Sequence, residues 1–191
     1  MIYRYKIVLI GDSGVGKTSL VYRILKDDFN PYVSTTIGAA FCTKKIEVEK
    51  NEQVELQIWD TAGQERYKSI IPMYLRNVAV AILCFAINDT SSQKAIIDQW
   101  YPYCLKEDGP KYIFLVGTKA DYATNINDVN FMTKIQKLYP NAKIYMTSAK
   151  DGTGVSDLFR TIALDLYSSD LEPLPAPKSL SSTPQKRYCY C

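Results

Sequence analysis

Gly11, Gly16, Lys17 and Thr18 stand at the spacing G-x-x-x-x-G-K-[ST], with Asp12, Ser13, Gly14 and Val15 between them. Small residues at these positions let the backbone curl until successive N–H groups point inward and cradle phosphate oxygens. Lys17 is then placed for β- and γ-phosphates, and the Thr18 hydroxyl, followed by Ser19, for Mg²⁺. Residues 5–10 read as a buried strand running in, and residues 19–25 as an amphipathic helix running out. Strand, glycine-rich turn and helix are the setting this loop requires.

A second group is Asp60, Thr61, Ala62, Gly63, Gln64 and Glu65, after a stretch that alternates like a strand. An aspartate at a strand end can hold Mg²⁺ through water. The N–H of the following Gly63 can approach a terminal phosphate with no side chain in the way. Gln64 is neutral and both donates and accepts, so it can orient a water. A third group, Thr118, Lys119, Ala120 and Asp121, pairs with a fourth, Thr147, Ser148, Ala149 and Lys150; each follows an apolar run. The Asp121 carboxylate can accept from the N1–H and 2-amino group of guanine, a pair of donors that adenine lacks. The Ala149 N–H can donate to guanine O6 but would meet the amino group of adenine. The chain has no histidine. That excludes histidine triads, histidine-ligated metals and imidazole switches, and leaves catalysis to positioning, metal and amide groups.

These residues need a scaffold that gathers distant loops. Residues 41–49 and 53–59 alternate and are joined by the polar Lys50, Asn51 and Glu52, which predicts a hairpin. Residues 78–87 are continuously apolar and read as a strand buried on both faces. Ile96, Ile97, Trp100 and Cys104 repeat at helical spacing over 91–106, where Pro102 should kink or shorten the helix. Residues 112–116 and 142–146 read as two further strands. Val129, Met132, Ile135 and Leu138 form one helix face, and Val155, Leu158, Phe159, Ile162 and Leu166 another. The alternation predicts an α/β fold of the P-loop type: a six-stranded, mostly parallel sheet with one antiparallel strand and helices on both faces. Ligands of such sheets sit at the carboxyl ends of the strands, where every group above falls.

The 191 residues suit one domain, 1–167, followed by a disordered tail, 168–191, rich in Ser, Pro and Lys. A net charge of +3 is too small for a nucleic-acid surface. The ten-residue apolar run 78–87 is about half a membrane span. Five scattered cysteines form no disulfide framework, which points to a reducing cytosol. Cys84 and Cys104 sit in apolar runs and read as core; Cys42 reads as an ordinary strand residue.

The segments GDSGVGKTS, TTIG, WDTAGQE, TKAD and TSAK, in this order and spacing, resemble the Ras superfamily of small GTPases. TTIGAAF, WDTAGQERYKSI and the final Cys189, Tyr190 and Cys191 narrow the resemblance to the Rab branch. It covers about residues 5–167 and the last three. The resemblance implies GTP and GDP as ligands with Mg²⁺, and GTP hydrolysis. Thr36 becomes the switch threonine that closes on Mg²⁺ and the γ-phosphate, and Phe29 packs against the guanine. Gly63 anchors the second switch, Gln64 assists hydrolysis, Lys119 lies along the guanine plane and Asp121 reads its edge. Intrinsic hydrolysis should be slow, because no arginine finger is evident in cis; a GAP that supplies one is worth about 10³–10⁵ in rate. Ser13 stands where Ras-type proteins have glycine and many Rab-like ones do not.

Phe41, Trp59 and Tyr74 match an aromatic triad that Rab proteins use to meet effectors; half-buried sheet and helix packing is the plainer reading. A C-a-a-X box fails because Tyr188 is fourth from the end. Cys189 and Cys191 instead resemble a double geranylgeranylation signal, with two lipids giving stable attachment. Lys186 and Arg187 would add about 1 kcal/mol each against an anionic leaflet. Partners implied are exchange factor, GAP, an escort or GDI-type chaperone and effectors, acting on a monomer at the cytosolic face of endomembranes. Residues 37–41 look most like the early-endosomal Rabs.

One departure stands out: the guanine motif usually begins with Asn, and here Thr118 takes its place, as in some Rho-branch GTPases. A hydroxyl makes fewer bonds than an amide, so weaker nucleotide affinity or faster exchange is expected. Two rival readings remain. An ATP-using P-loop kinase is disfavoured by TKAD with TSAK. A GTP-binding module with little or no hydrolysis has Thr118 as its only support.

Overall fold

A computed structural model describes residues 1–64, 69–105, 109–123 and 126–175, with the main chain alone at 126–130. Its centre is one sheet of six strands in the order β2-β3-β1-β4-β5-β6. These are β1 (Ile2–Ile10), β2 (Ala39–Glu49), β3 (Glu52–Thr61), β4 (Val80–Ala86), β5 (Tyr112–Thr118) and β6 (Lys143–Met146). All neighbours run parallel except β2 and β3, the expected hairpin. From β1 the chain goes out to β2 at the sheet edge, returns through β3, and crosses to β4 on the other side of β1. Sequence order therefore reverses at β1, and the crevice beyond its carboxyl end is the natural ligand position.

Around the sheet lie α1 (Lys17–Lys26), α2 (Ile71–Leu75), α3 (Thr90–Ala95), α4 (Tyr101–Cys104), α5 (Ile126–Leu138) and α6 (Val155–Tyr167). One face of the sheet packs Leu20 and Val21 of α1 with Val155, Leu158, Phe159 and Ile162 of α6 over Ile7, Leu9, Leu56 and Ile82. The other face buries Val8, Ile10, Leu83 and Phe85 under Ile71, Ile96, Trp100 and Ile135. Strand β4 is buried along its whole length, as its unbroken apolar run predicts.

Several boundaries differ from the sequence expectation, each for a physical reason. Asp60 and Thr61 lie inside β3 rather than after it, because Ala39 and Ala40 of β2 pair with them. Thr118 is the last residue of β5, held in register opposite Ala86. The expected helix over 91–106 is three pieces: α3, a π turn over Ile96–Trp100, and α4, with Pro102 in its first turn. Proline has no N–H to donate, so a wider turn ahead of it accommodates the lost bond. The tail expected from Ser168 is corrected for 168–175: Leu171 packs on the core, Tyr5 Oη donates to its carbonyl at 3.2 Å, and the Leu174 N–H donates to the Arg4 carbonyl at 2.7 Å. Residues 176–191 and the side chain of Val129 lie outside the described residues.

Candidate nucleotide-binding site

Helix α1 begins at Lys17 behind Gly16, whose φ of 99° is a conformation that side chains rarely adopt. No side chain caps this end. The first N–H groups of the helix thus have no side-chain cap, which suits the turn to bind an anion. Lys17 is buried, and its ammonium donates to the carbonyls of Gly11 at 2.7 Å and Asp12 at 2.8 Å. Burial pushes its pKa below the ordinary lysine range, an effect opposed by Cys84, Asp60 and Asp12 nearby. Two of its three protons are spent on holding the loop; the third is available to a ligand.

Asp60, Thr18 and Thr36 meet beside it. The Thr18 and Thr36 hydroxyls are 2.7 Å apart, and Thr36 Oγ1 donates to Asp60 Oδ2 at 3.5 Å. Burial pushes the Asp60 carboxyl above its usual range, against the pull of Thr18, Lys17 and Thr36. Its Oδ1 is buried without a hydrogen-bond partner. Two hydroxyls beside a carboxylate whose other oxygen is orphaned fit a hard divalent cation, which takes oxygen ligands and keeps several waters. Gly63 lies directly against the phosphate loop: a Cβ there would come within 2.4 Å of the Asp12 carbonyl carbon and 2.5 Å of the Gly11 oxygen. Gln64 follows, half-buried; Glu65 lies outside the described residues.

These groups surround a cavity of about 230 Å³ whose lining includes Ser13, Lys17, Thr18, Thr36 and Gly63. It continues, through shared walls at Gly14, Gly16, Ser19 and Phe29, into a second of about 500 Å³. The second is lined by Thr118, Lys119, Asp121, Ala149 and Lys150, so the TKAD and TSAK groups meet as expected. The Ala120 N–H donates to the Thr147 carbonyl at 3.0 Å, tying the two loops. Lys119 has a φ of 58°, the kind of strained backbone that a functional loop retains. Ser148 Oγ donates to Asp121 Oδ1 at 2.8 Å, and Lys150 Nζ stands 3.8 Å from Oδ2, so the carboxylate is aimed. The buried Thr118 hydroxyl faces two carbonyls, those of Val15 in the phosphate loop and of Phe85 in β4, the latter at 2.9 Å.

Not every expected residue presents its side chain to the cleft. Val15 is buried in the core, which leaves only its backbone to a ligand. Ser148 is buried and acts on Asp121. Phe41, Trp59 and Tyr74 do form a contiguous aromatic row, with ring centroids 5.2 and 5.6 Å apart, and Phe41 is exposed. Cys189 and Cys191 lie outside the described residues. Three participants escaped sequence reasoning. Arg23 of α1 donates at 2.7 Å to the carbonyls of both Ala149 and Lys150, fixing the TSAK loop. Asn88 lines the larger cavity. Trp100 reaches Asp12 of the phosphate loop. No local pattern marks any of them, because each meets the site only through residues remote in sequence.

A phosphate loop, a carboxylate–hydroxyl cluster and an adjoining cavity on one doubly wound sheet define the class of P-loop nucleotide-binding proteins. The Ras family model matches residues 6–168. The chain is 43% identical over 169 residues to the GTP-binding protein ypt5 of Schizosaccharomyces pombe, covering 86% of this chain and 79% of that one. It is 40% identical to the Ras-related protein Rab5 of Nicotiana tabacum, over 94% of this chain and 89% of that protein. With the mouse Ras-related protein Rab-22A it shares 35% identity over 96% and 97% of the two chains. The chain belongs to the Ras family, among its Rab-type small GTPases.

Proposed function

We propose that this chain is a Rab-type switch that binds GTP and GDP, hydrolyses GTP and recruits effectors in vesicular membrane trafficking. The observation that carries this reading is one continuous cleft with a buried lysine and a carboxylate–hydroxyl cluster at one end and an aimed aspartate at the other. Ser13, Gly14, Val15 and Gly16 contribute backbone N–H groups to the phosphates, Lys17 contributes charge, and Ser19 lines the wall. Thr18, Thr36 and, through water, Asp60 would hold Mg²⁺, which neutralises charge developing on the phosphates. Phe29 and Lys119 flank the base, Asp121 accepts from its donor edge, and Ser148, Ala149 and Lys150 complete that end. Thr118 ties the base end to the phosphate loop.

Gly63 brings its N–H to the terminal phosphate, and Gln64 orients the attacking water. Loss of that phosphate frees Thr36 and Gly63, and both switches loosen. The Phe41, Trp59 and Tyr74 row would then change its surroundings with the nucleotide, which suits an effector surface. Prenylation of Cys189 and Cys191 would hold the protein on the cytosolic face of an endomembrane, in keeping with an endosomal Rab. Exchange factor, GAP and an escort chaperone are the partners such a cycle needs.

Identification of the nucleotide that co-purifies with the protein tests the reading: GDP or GTP is expected, and ADP would overturn it. Gln64→Leu should abolish measurable turnover while GTP binding persists. Unchanged hydrolysis in single-turnover assays would refute the role given to the amide.

A further inference from the structure

Trp100 stands 88 residues from the phosphate loop, yet its indole Nε1–H donates to Asp12 Oδ1 at 2.8 Å. The ring is 2% exposed. It closes the π turn Ile96–Trp100, and such turns recur at functional sites. Asp12 carries two further contacts of consequence. Its carbonyl accepts from Lys17 Nζ at 2.8 Å. The same carbonyl lies where Gly63 closes, so near that a Cβ on Gly63 would stand 2.5 Å from its oxygen. One loop residue therefore joins a distant helix, the phosphate-binding lysine and the glycine of the second switch.

We propose that Trp100 is a positioning residue for the nucleotide chemistry: its indole N–H fixes Asp12 and so sets the backbone against which Lys17 and Gly63 are placed. The proposal rests on reading the cleft as a guanine-nucleotide site. An indole N–H can only donate, so the arrangement requires an acceptor at residue 12 and is lost when either partner is removed. Asp12 is only half-buried. Water can satisfy its carboxylate when the indole is gone, so the loop is released rather than trapped with an unpaired charge.

The test uses the full chain loaded with Mg²⁺ and fluorescently labelled GDP, and follows its release for wild type, Trp100→Phe, Asp12→Ala and the double variant. Each single change should speed release about threefold or more, since a charge-assisted hydrogen bond of ordinary strength is at stake. The double variant should be no faster than the singles. Wild-type release from Trp100→Phe, or effects that multiply in the double variant, would overturn the proposal. So would lowered thermal stability with unchanged release, which makes Trp100 a core residue only. If Trp100→Phe does not fold, Asp12→Asn decides. It keeps an acceptor oxygen and should release within about twofold of wild type, whereas Asp12→Ala is fast; equal rates for those two, fast or slow, sink the idea. A wild-type protein that fails to bind GDP contradicts the functional reading itself, whereas binding with unaffected variants contradicts only the role of Trp100.

Discussion

Thr118 has one hydroxyl proton and two carbonyls in front of it, on Val15 and Phe85. It can satisfy one of them at a time, whereas an asparagine amide carries two donors. Thr118→Asn should therefore slow GDP release by about fivefold, the worth of one net hydrogen bond of roughly 1 kcal/mol. Identical off-rates for the two proteins would contradict this. The oddity of a threonine here was legible in the sequence, but its acceptors were not, because they come from residues 103 and 33 positions away. The cysteines give a second residue-scale prediction. Burial pushes the thiols of Cys84 and Cys104 up to about 12. At pH 8 neither offers thiolate, so peptide mapping after iodoacetamide treatment of the native protein should find both unmodified, and both labelled after unfolding. For pH dependence the sign is fixed: below an ordinary 9.0 both states keep these protons. Between there and about 12 the unfolded chain loses protons that the folded chain retains. Stability then falls with rising pH, by at most roughly 1.4 kcal/mol per thiol per unit.

At the scale of elements, the hairpin explains why Asp60 is so firmly placed. Because β2 starts at Ala39, β3 remains paired through Thr61, whose hydroxyl also donates to the Leu9 carbonyl at 2.7 Å. The carboxylate thus leaves a strand paired to its last residue, and the Ala62 N–H extends that hold by donating to the Gly38 carbonyl at 2.8 Å. Gly63 comes next, against the phosphate loop. Gly63→Ala places a methyl inside the Asp12 backbone, so the second switch cannot close while the rest of the cleft stays intact. GTP hydrolysis should fall by about 10²-fold or more, the usual cost of losing one positioned backbone donor, with GDP affinity little changed. Single-turnover hydrolysis beside a GDP titration checks this, and wild-type hydrolysis would contradict it. All six strands were legible as apolar or alternating runs. Helix α2 was not, since its five residues are too few to display a period. The π turn escaped for another reason: Pro102 announces an irregularity without saying which kind.

For the whole molecule, alternation of strand and helix along the chain fixed a doubly wound sheet, and such a sheet brings its loops together at one edge. The phosphate loop follows β1, Asp60 closes β3, Thr118 closes β5 and Thr147 follows β6, so four segments remote in sequence share one cleft. What sequence alone left out is the opposite edge. There the chain after α6 returns to β1 and donates from Leu174 to Arg4, an ordinary polar backbone contact that no composition signals. Among the described residues, no helix is long and apolar enough to cross a membrane. The proposed prenylation of Cys189 and Cys191 would bring the switch to a bilayer.

In the proposed function Asp121, aimed by Ser148, selects the purine. A competition titration against labelled GDP measures it directly. Unlabelled GDP should displace the label on the order of 10⁴ times more effectively than ADP, because adenine leaves the carboxylate facing no pair of donors. Equal displacement by the two diphosphates would contradict selection by Asp121.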